Sequence, residues 1–301
     1  MSALQTDKVN IDLIAYVDEA GSRGFSRDLK PERDDELGLF CALTVPAARL
    51  DEMRARFIPG YDRFIAAMPA GEKPHITSAF APGNEAWAEV ARGVRTEFFD
   101  LIRELQIPVI YEARRLKVDR QGHEQVEALK TQAQQSARSG VRLPNRPSTW
   151  RVEEWLMIGL ALKLDAFVED FEGDRVDLFF DEIDKTIADL YREAINKTQN
   201  VSHAETVVKG WDPAIKSKVE GKIGFDASSA VRLDVTYVGT ISVAGKNDAL
   251  VLATDIVANA LNNHLSNLPV GAPLNAPSSI QGWILQDRVY GVRDNAIEDI
   301  I

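Results

Sequence analysis

The sequence predicts an α/β fold with one mixed β-sheet flanked by helices, on three observations. Two short apolar runs of β character, 11–17 and 176–180, each stop on Asp-Glu. Residues 85–105 and 249–261 have the length and apolar content of helices able to cover a sheet. From residue 176 onward strands and helices alternate, the order expected when helices lie on the faces of a sheet.

Taken in order, 11–17 reads as a strand followed by a turn at Gly21 and Gly24, and 25–36 is charged and loop-like. Residues 37–45 are a continuous run of strand formers ended by Pro46; with the first run they suggest a hairpin. Residues 47–68 have helical spacing, interrupted at Pro59-Gly60. A short strand or loop is expected over 76–80. Trp87, Val90, Val94, Phe98 and Leu101 recur at three and four residues, the mark of an amphipathic helix. Val109 to Tyr111 reads as a strand. Residues 114–151 carry nine Lys/Arg against three Asp/Glu and few large apolar side chains. They are expected to be an inserted basic, polar segment within a single domain spanning 1–301. Thr149 can cap a helix running to about 169, whose first turn holds Glu153 and Glu154. A strand at 176–181 and a helix at 185–196 follow, then a polar connection over 197–229. Residues 231–238 alternate as a strand does, 247–261 reads as a helix, and 283–285 is strand-like.

The composition is that of an ordinary globular domain, with 45% hydrophobic and 27% charged residues. One cysteine, Cys41, excludes an intrachain disulfide and a Cys-rich zinc site; within its apolar run it reads as a small buried hydrophobe. No apolar stretch reaches membrane-spanning length, and the first ten residues lack a signal-peptide core, so a cytoplasmic protein without membrane contact is expected. The net charge of −11 opposes non-specific nucleic-acid binding, although a local basic face can still dominate.

Chemistry points to the acids. Asp18 and Asp181 stand where apolar strands meet turns. If those strands are parallel neighbours, both carboxylates emerge at the carboxyl edge of the sheet, where α/β sites lie. Asp255 sits in an almost wholly apolar helix, and Asp248 shares its helical face. Three gathered carboxylates repel one another and favour protonation. A hard divalent cation, Mg²⁺ or Mn²⁺, reverses that balance with oxygen ligands alone. Two such ions are a known arrangement for phosphodiester cleavage. Glu19 and Glu182 point away from the preceding Asp in a continuing strand and are weaker ligand candidates.

With these residues in view, the chain resembles the domain-of-unknown-function 3800 family. Three patches carry the likeness: Tyr16-Val17-Asp18-Glu19-Ala20-Gly21-Ser22, Val176 to Glu182, and Asp248 to Ala260 with Ala253-Thr254-Asp255-Ile256-Val257-Ala258. The likeness runs from residue 11 to roughly 265. It implies a ribonuclease H-like sheet and a two-metal nuclease site with Asp18, Asp181 and Asp255 on the acidic positions. A fourth acid would come from Glu19 or from Glu72 in Glu72-Lys73-Pro74-His75. Ala20 and Thr254 depart from the more usual Ser and Ala, and Val251 stands where the family commonly has Gln. Family members often lie near mobile elements or phage-defence systems.

The expected function is therefore a Mg²⁺- or Mn²⁺-dependent nuclease acting on RNA or DNA, with His75 either an accessory proton shuttle or a structural or surface histidine. Lys209, Lys216, Lys218 and Lys222, with the basic 114–151 segment, would contact phosphates. The alternative is a non-catalytic ribonuclease H-like scaffold that binds nucleic acid or a protein partner. A metal-dependent phosphatase of small phosphate esters is a third class.

Overall fold

The computed structural model describes residues 12–21, 34–136, 152–181, 183, 185–199, 203–226, 235–245 and 247–290. Five strands form one mixed sheet: β1 (Asp12–Gly21), β2 (Leu37–Pro46), β3 (Val109–Arg115), β4 (Arg175–Phe180) and β7 (Val238–Val243), in the order β3-β2-β1-β4-β7. β1, β2 and β3 are an antiparallel meander, while β4 and β7 join parallel to β1. β2 is buried at nine of its ten positions because both faces of the sheet are covered, which explains its unbroken apolar sequence.

One face packs on α1 (Leu50–Ala66), α3 (Glu85–Glu104) and α7 (Ala249–Ser266), around Tyr16, Leu39, Cys41, Phe57 and Phe98. The other packs on α5 (Val152–Asp170) and α6 (Lys185–Thr198), around Val17, Phe40, Leu178 and Phe180. Alternating residues of β1 and β2 divide between these two cores, as the strand period requires. A single helical turn, α2 (Ile76–Ala79), precedes α3, and α4 (Leu116–Ser136) follows β3 directly. A separate ribbon, β5 (His203–Asp212) with β6 (Ser217–Asp226), pairs antiparallel outside the sheet.

Several expectations are corrected. β1 does not stop before Asp18; its pairing with β2 continues to Gly21↔Gly38. Gly21 has φ +80°, and a Cβ there would lie 2.1 Å from the Leu37 carbonyl oxygen, so this strand end requires glycine. α1 runs through Pro59 without a break. Gly60 lets Phe98 of α3 approach so closely that a Cβ would meet its ring at 2.5 Å, and that packing outweighs the lost backbone hydrogen bond. Residues 76–79 are helical rather than extended. Arg114 and Arg115 belong to β3, and Leu116 is buried, so the main sheet and core extend into the segment expected to be inserted. Residues 137–151 lie outside the described residues. The polar connection 197–229 contains the β5–β6 ribbon, whose charged and glycine positions make the stretch read as polar. Of the strand expected over 231–238, residues 231–234 lie outside the described residues, 235–237 are not strand, and β7 starts at Val238. Residues 283–285 are turns, not strand.

Candidate functional site

Strand register begins the assembly of the acids. Parallel pairing of β1 with β4 ends at Val17↔Phe180, so Asp18 and Asp181 come next on adjacent strands, about 5 Å apart in backbone spacing. Alternation fixes their face. Tyr16 and Phe179 stack on the α7 side with ring centroids 5.7 Å apart, and the residue two further along each chain returns to that side.

Asp255 reaches the same place from α7. The Ile76 backbone N–H donates to Asp255 Oδ2 at 2.7 Å. The same oxygen is 3.7 Å from His75 Nδ1, and His75 Nε2 is 3.9 Å from Asp181 Oδ2. The imidazole thus stands between two of the three aspartates, brought there by the extended backbone that precedes α2.

Asp18 is 8% exposed. Burial holds its carboxyl well above the usual carboxylate range. The negative charge of Asp255, then of Glu19 and Asp181, pushes the same way, and a hydrogen bond from the Glu19 backbone N–H opposes them. No cation is among these influences. A divalent ion would supply the missing charge, and the donor set of carboxylate oxygens without a thiolate fits Mg²⁺ or Mn²⁺. Among the described residues no three His, Cys, Asp or Glu side chains stand at ready-made metal-ligand spacing. The aspartates share one sheet edge with the His75 ring interposed, not a closed cage.

The other candidates separate. Glu19 pairs in register with Phe40, which belongs to the α5–α6 core, so its side chain leaves the sheet on the face opposite Asp18. Its influence on Asp18 remains electrostatic. Glu72 is exposed, three residues before His75, and is not among the groups acting on Asp18. Glu182 lies outside the described residues.

Asp248 does not line the site with Asp255. It is the N-cap of α7: Oδ1 accepts from Leu250 N–H at 2.9 Å, and Oδ2 accepts from Tyr16 OH at 2.9 Å and Arg54 Nη2 at 3.0 Å. Burial and the Asp248 carboxylate together push the Tyr16 hydroxyl up, out of reach of titration at neutral pH.

The lysines fall on the β5–β6 ribbon, away from any shared element with the acids. Trp211 pairs with Lys218 and Lys209 with Glu220, so Lys209, Trp211 and Lys218 project from one face by strand alternation. Lys222 continues that register opposite Val207, and Lys216 occupies the turn with φ 48°. Lys209 is engaged with Glu220 at 3.1 Å. Trp211 is 45% exposed, an aromatic the sequence reading passed over because it lies in a polar stretch. The Ile76 N–H donor was equally hidden, since a backbone group carries no residue signature.

Cys41, in register with Asp18, is wholly buried; burial and the nearby Asp18 charge push its thiol up, so it is an inert core residue. No helix among the described residues is long and apolar enough to cross a membrane. Comparison with family models, with curated proteins and with solved structures gives no match.

Proposed function

We propose that this protein is a metal-dependent nuclease that hydrolyses phosphodiester bonds at the carboxyl edge of its sheet. One observation carries the reading: three acids far apart in the chain meet at one edge, and the most buried of them faces other acids, not a cation. The strand order β3-β2-β1-β4-β7, with an antiparallel meander and two parallel additions, supports the ribonuclease H-like identity expected from the resemblance.

In this reading Asp18, Asp181 and Asp255 hold Mg²⁺ or Mn²⁺, with Glu19 as the nearest further acid. The bound ions would polarise an attacking water and stabilise the departing oxygen. The Ile76 N–H engages one oxygen of Asp255, Oδ2, and helps hold the carboxylate in place. His75, half-exposed and within 4 Å of two of the acids, is placed to move a proton between the site and solvent.

The test is cleavage of single- and double-stranded RNA and DNA with Mg²⁺ or Mn²⁺ by the wild type, Asp18→Asn and Asp255→Asn. Cleavage that survives both substitutions removes the proposal. A second reading, nucleic-acid binding without catalysis, is favoured by the ribbon face bearing Lys209, Trp211 and Lys218, since lysines with an exposed indole suit a single strand. Metal-independent binding with no cleavage under any of these conditions would select it.

A further inference from the structure

The end of edge strand β3 holds a second concentration of charge, opposite in sign to the acids. Arg115, 6% exposed, lines a cavity of about 440 Å³ together with Lys117 and Gln121, while Arg114, 5% exposed and also at its wall, turns its guanidinium to the α5 face. Val270 and Leu274 supply apolar wall on the other side. Among the described residues no acidic side chain lines it.

The charge here is unmatched. Arg115 donates only to neutral carbonyls: Nη1 to Asp35 O at 3.0 Å and Nη2 to Leu268 O at 3.1 Å. Its Nε is buried with no hydrogen-bond partner among the described residues. Arg114 lies over the Trp155 ring, 5.8 Å from its centroid, with no carboxylate among the described residues in ion-pair contact. The nearby Asp34 is committed to Arg120, at 2.7 and 2.8 Å. Buried guanidinium groups without a counter-charge are costly, and an anion is the natural complement.

Two further features favour a phosphate. The cavity lies at the first turn of α4, a helix of 21 residues whose positive end attracts anions. Lys117, Gln121 and Gln125 line it at four-residue spacing, a row of donors along one helix face. The volume lies within the range of small-molecule sites, roughly 300–1,000 Å³. Apolar walls beside a basic end suit a base and its phosphate.

We propose that this cavity binds the phosphate of a nucleotide, either free or within a nucleic-acid strand. The strand form rests on the nuclease reading; the phosphate site rests on the cavity alone. β3 and β1 point the same way in the meander, so the cavity and the acids open at the same edge. Arg115, in register with Leu37 of the α7-side core, leaves the sheet on the same face as Asp18, two strands over and four positions beyond it, roughly 16 Å by strand geometry. A strand held at Arg115 and Lys117 would therefore present a linkage a few nucleotides away to the acids.

The experiment is calorimetric titration in EDTA, where cleavage and metal binding play no part. The probes are AMP, adenosine and a single-stranded hexadeoxyadenylate. The variants are Lys117→Glu, at an exposed position, and Ala272→Trp, which fills the cavity from a partly exposed loop; melting curves verify that both fold. AMP is expected to bind and adenosine not to, with AMP affinity falling about tenfold or more in each variant. Loss of both AMP and hexanucleotide binding assigns the site to a strand, and loss of AMP binding alone assigns it to a free nucleotide. Equal titration by AMP and adenosine, or unchanged AMP affinity in both variants, overturns the proposal. None of these outcomes depends on whether the acids cleave anything.

Discussion

Asp248 and Asp255 stand two turns apart at the start and middle of α7, in the same apolar sequence, and their surroundings differ in every respect. Asp248 is fully answered: a guanidinium, a phenol and a backbone N–H meet its two oxygens. Asp255 receives one backbone N–H and otherwise faces a histidine and other acids. The first arrangement is a helix cap that fastens α7 to β1 and α1. The second meets no Lys or Arg among the described residues, and under the proposed function it is left for a cation arriving from outside. A carboxylate in an apolar helix is thus ambiguous until its partners are known, and the partners separate structure from chemistry.

The sharpest way to break this contrast is to neutralise each acid in turn. Asp255→Asn or Asp18→Asn should lower Mg²⁺- or Mn²⁺-dependent cleavage by roughly 10²-fold or more while the fold persists, read from steady-state rates alongside far-ultraviolet circular dichroism. Asp248→Ala should do the reverse. It loses a cap, about 1 kcal/mol, and the charge-assisted bonds from Arg54, which keeps Asp51, so a total of about 2 kcal/mol and a melting point lower by several degrees are expected with cleavage chemistry intact. Equal damage to activity from both positions would erase the distinction.

Asp18 adds a pH signature. Its folded-state carboxyl titrates above its unfolded value, so the native chain binds the proton more tightly than the unfolded one. Stability is then greatest below the unfolded value, near pH 4, and falls as pH rises through the folded value. Without metal, Asp18→Asn should flatten that decline and melt higher than wild type at pH 7, by about 1–2 kcal/mol. Added Mn²⁺ should restore wild type and leave the variant unchanged, as ligand linkage requires. The smallest expected effect belongs to His75→Ala: about tenfold or less in rate, with a changed pH profile between 6 and 8. An unaltered profile would leave His75 a spacer between Asp181 and Asp255.

The sequence reading captured most of what apolar patterning controls. The amphipathic spacing of Trp87, Val94 and Phe98 gives α3, and the unbroken run 37–45 gives β2, because burial on one or both faces writes itself into residue type. The convergence of Asp18, Asp181 and Asp255 was legible from position alone, two at apolar strand ends and one in an apolar helix. What escaped was set by partners distant in sequence. Nothing near Asp248 announces Arg54, and nothing near Asp255 announces the Ile76 N–H. The ribbon holding Lys209 and Trp211 lies in a stretch whose lysines and glycines make it read as a connection. Arg114 and Arg115 looked like the start of a solvated insertion because two adjacent arginines rarely end a buried strand.

The order of the strands in the chain has a consequence for biosynthesis. The meander β1-β2-β3 uses neighbouring segments and can close early, while β4, β7 and α7 arrive by longer crossovers and from later in the chain. Asp18 therefore keeps its water through the first stages of folding, and the crowding of like charges is deferred to the step that docks α7. A ribosome-bound intermediate lacking that helix would lack Asp255 and with it the strongest of the acidic charges acting on Asp18.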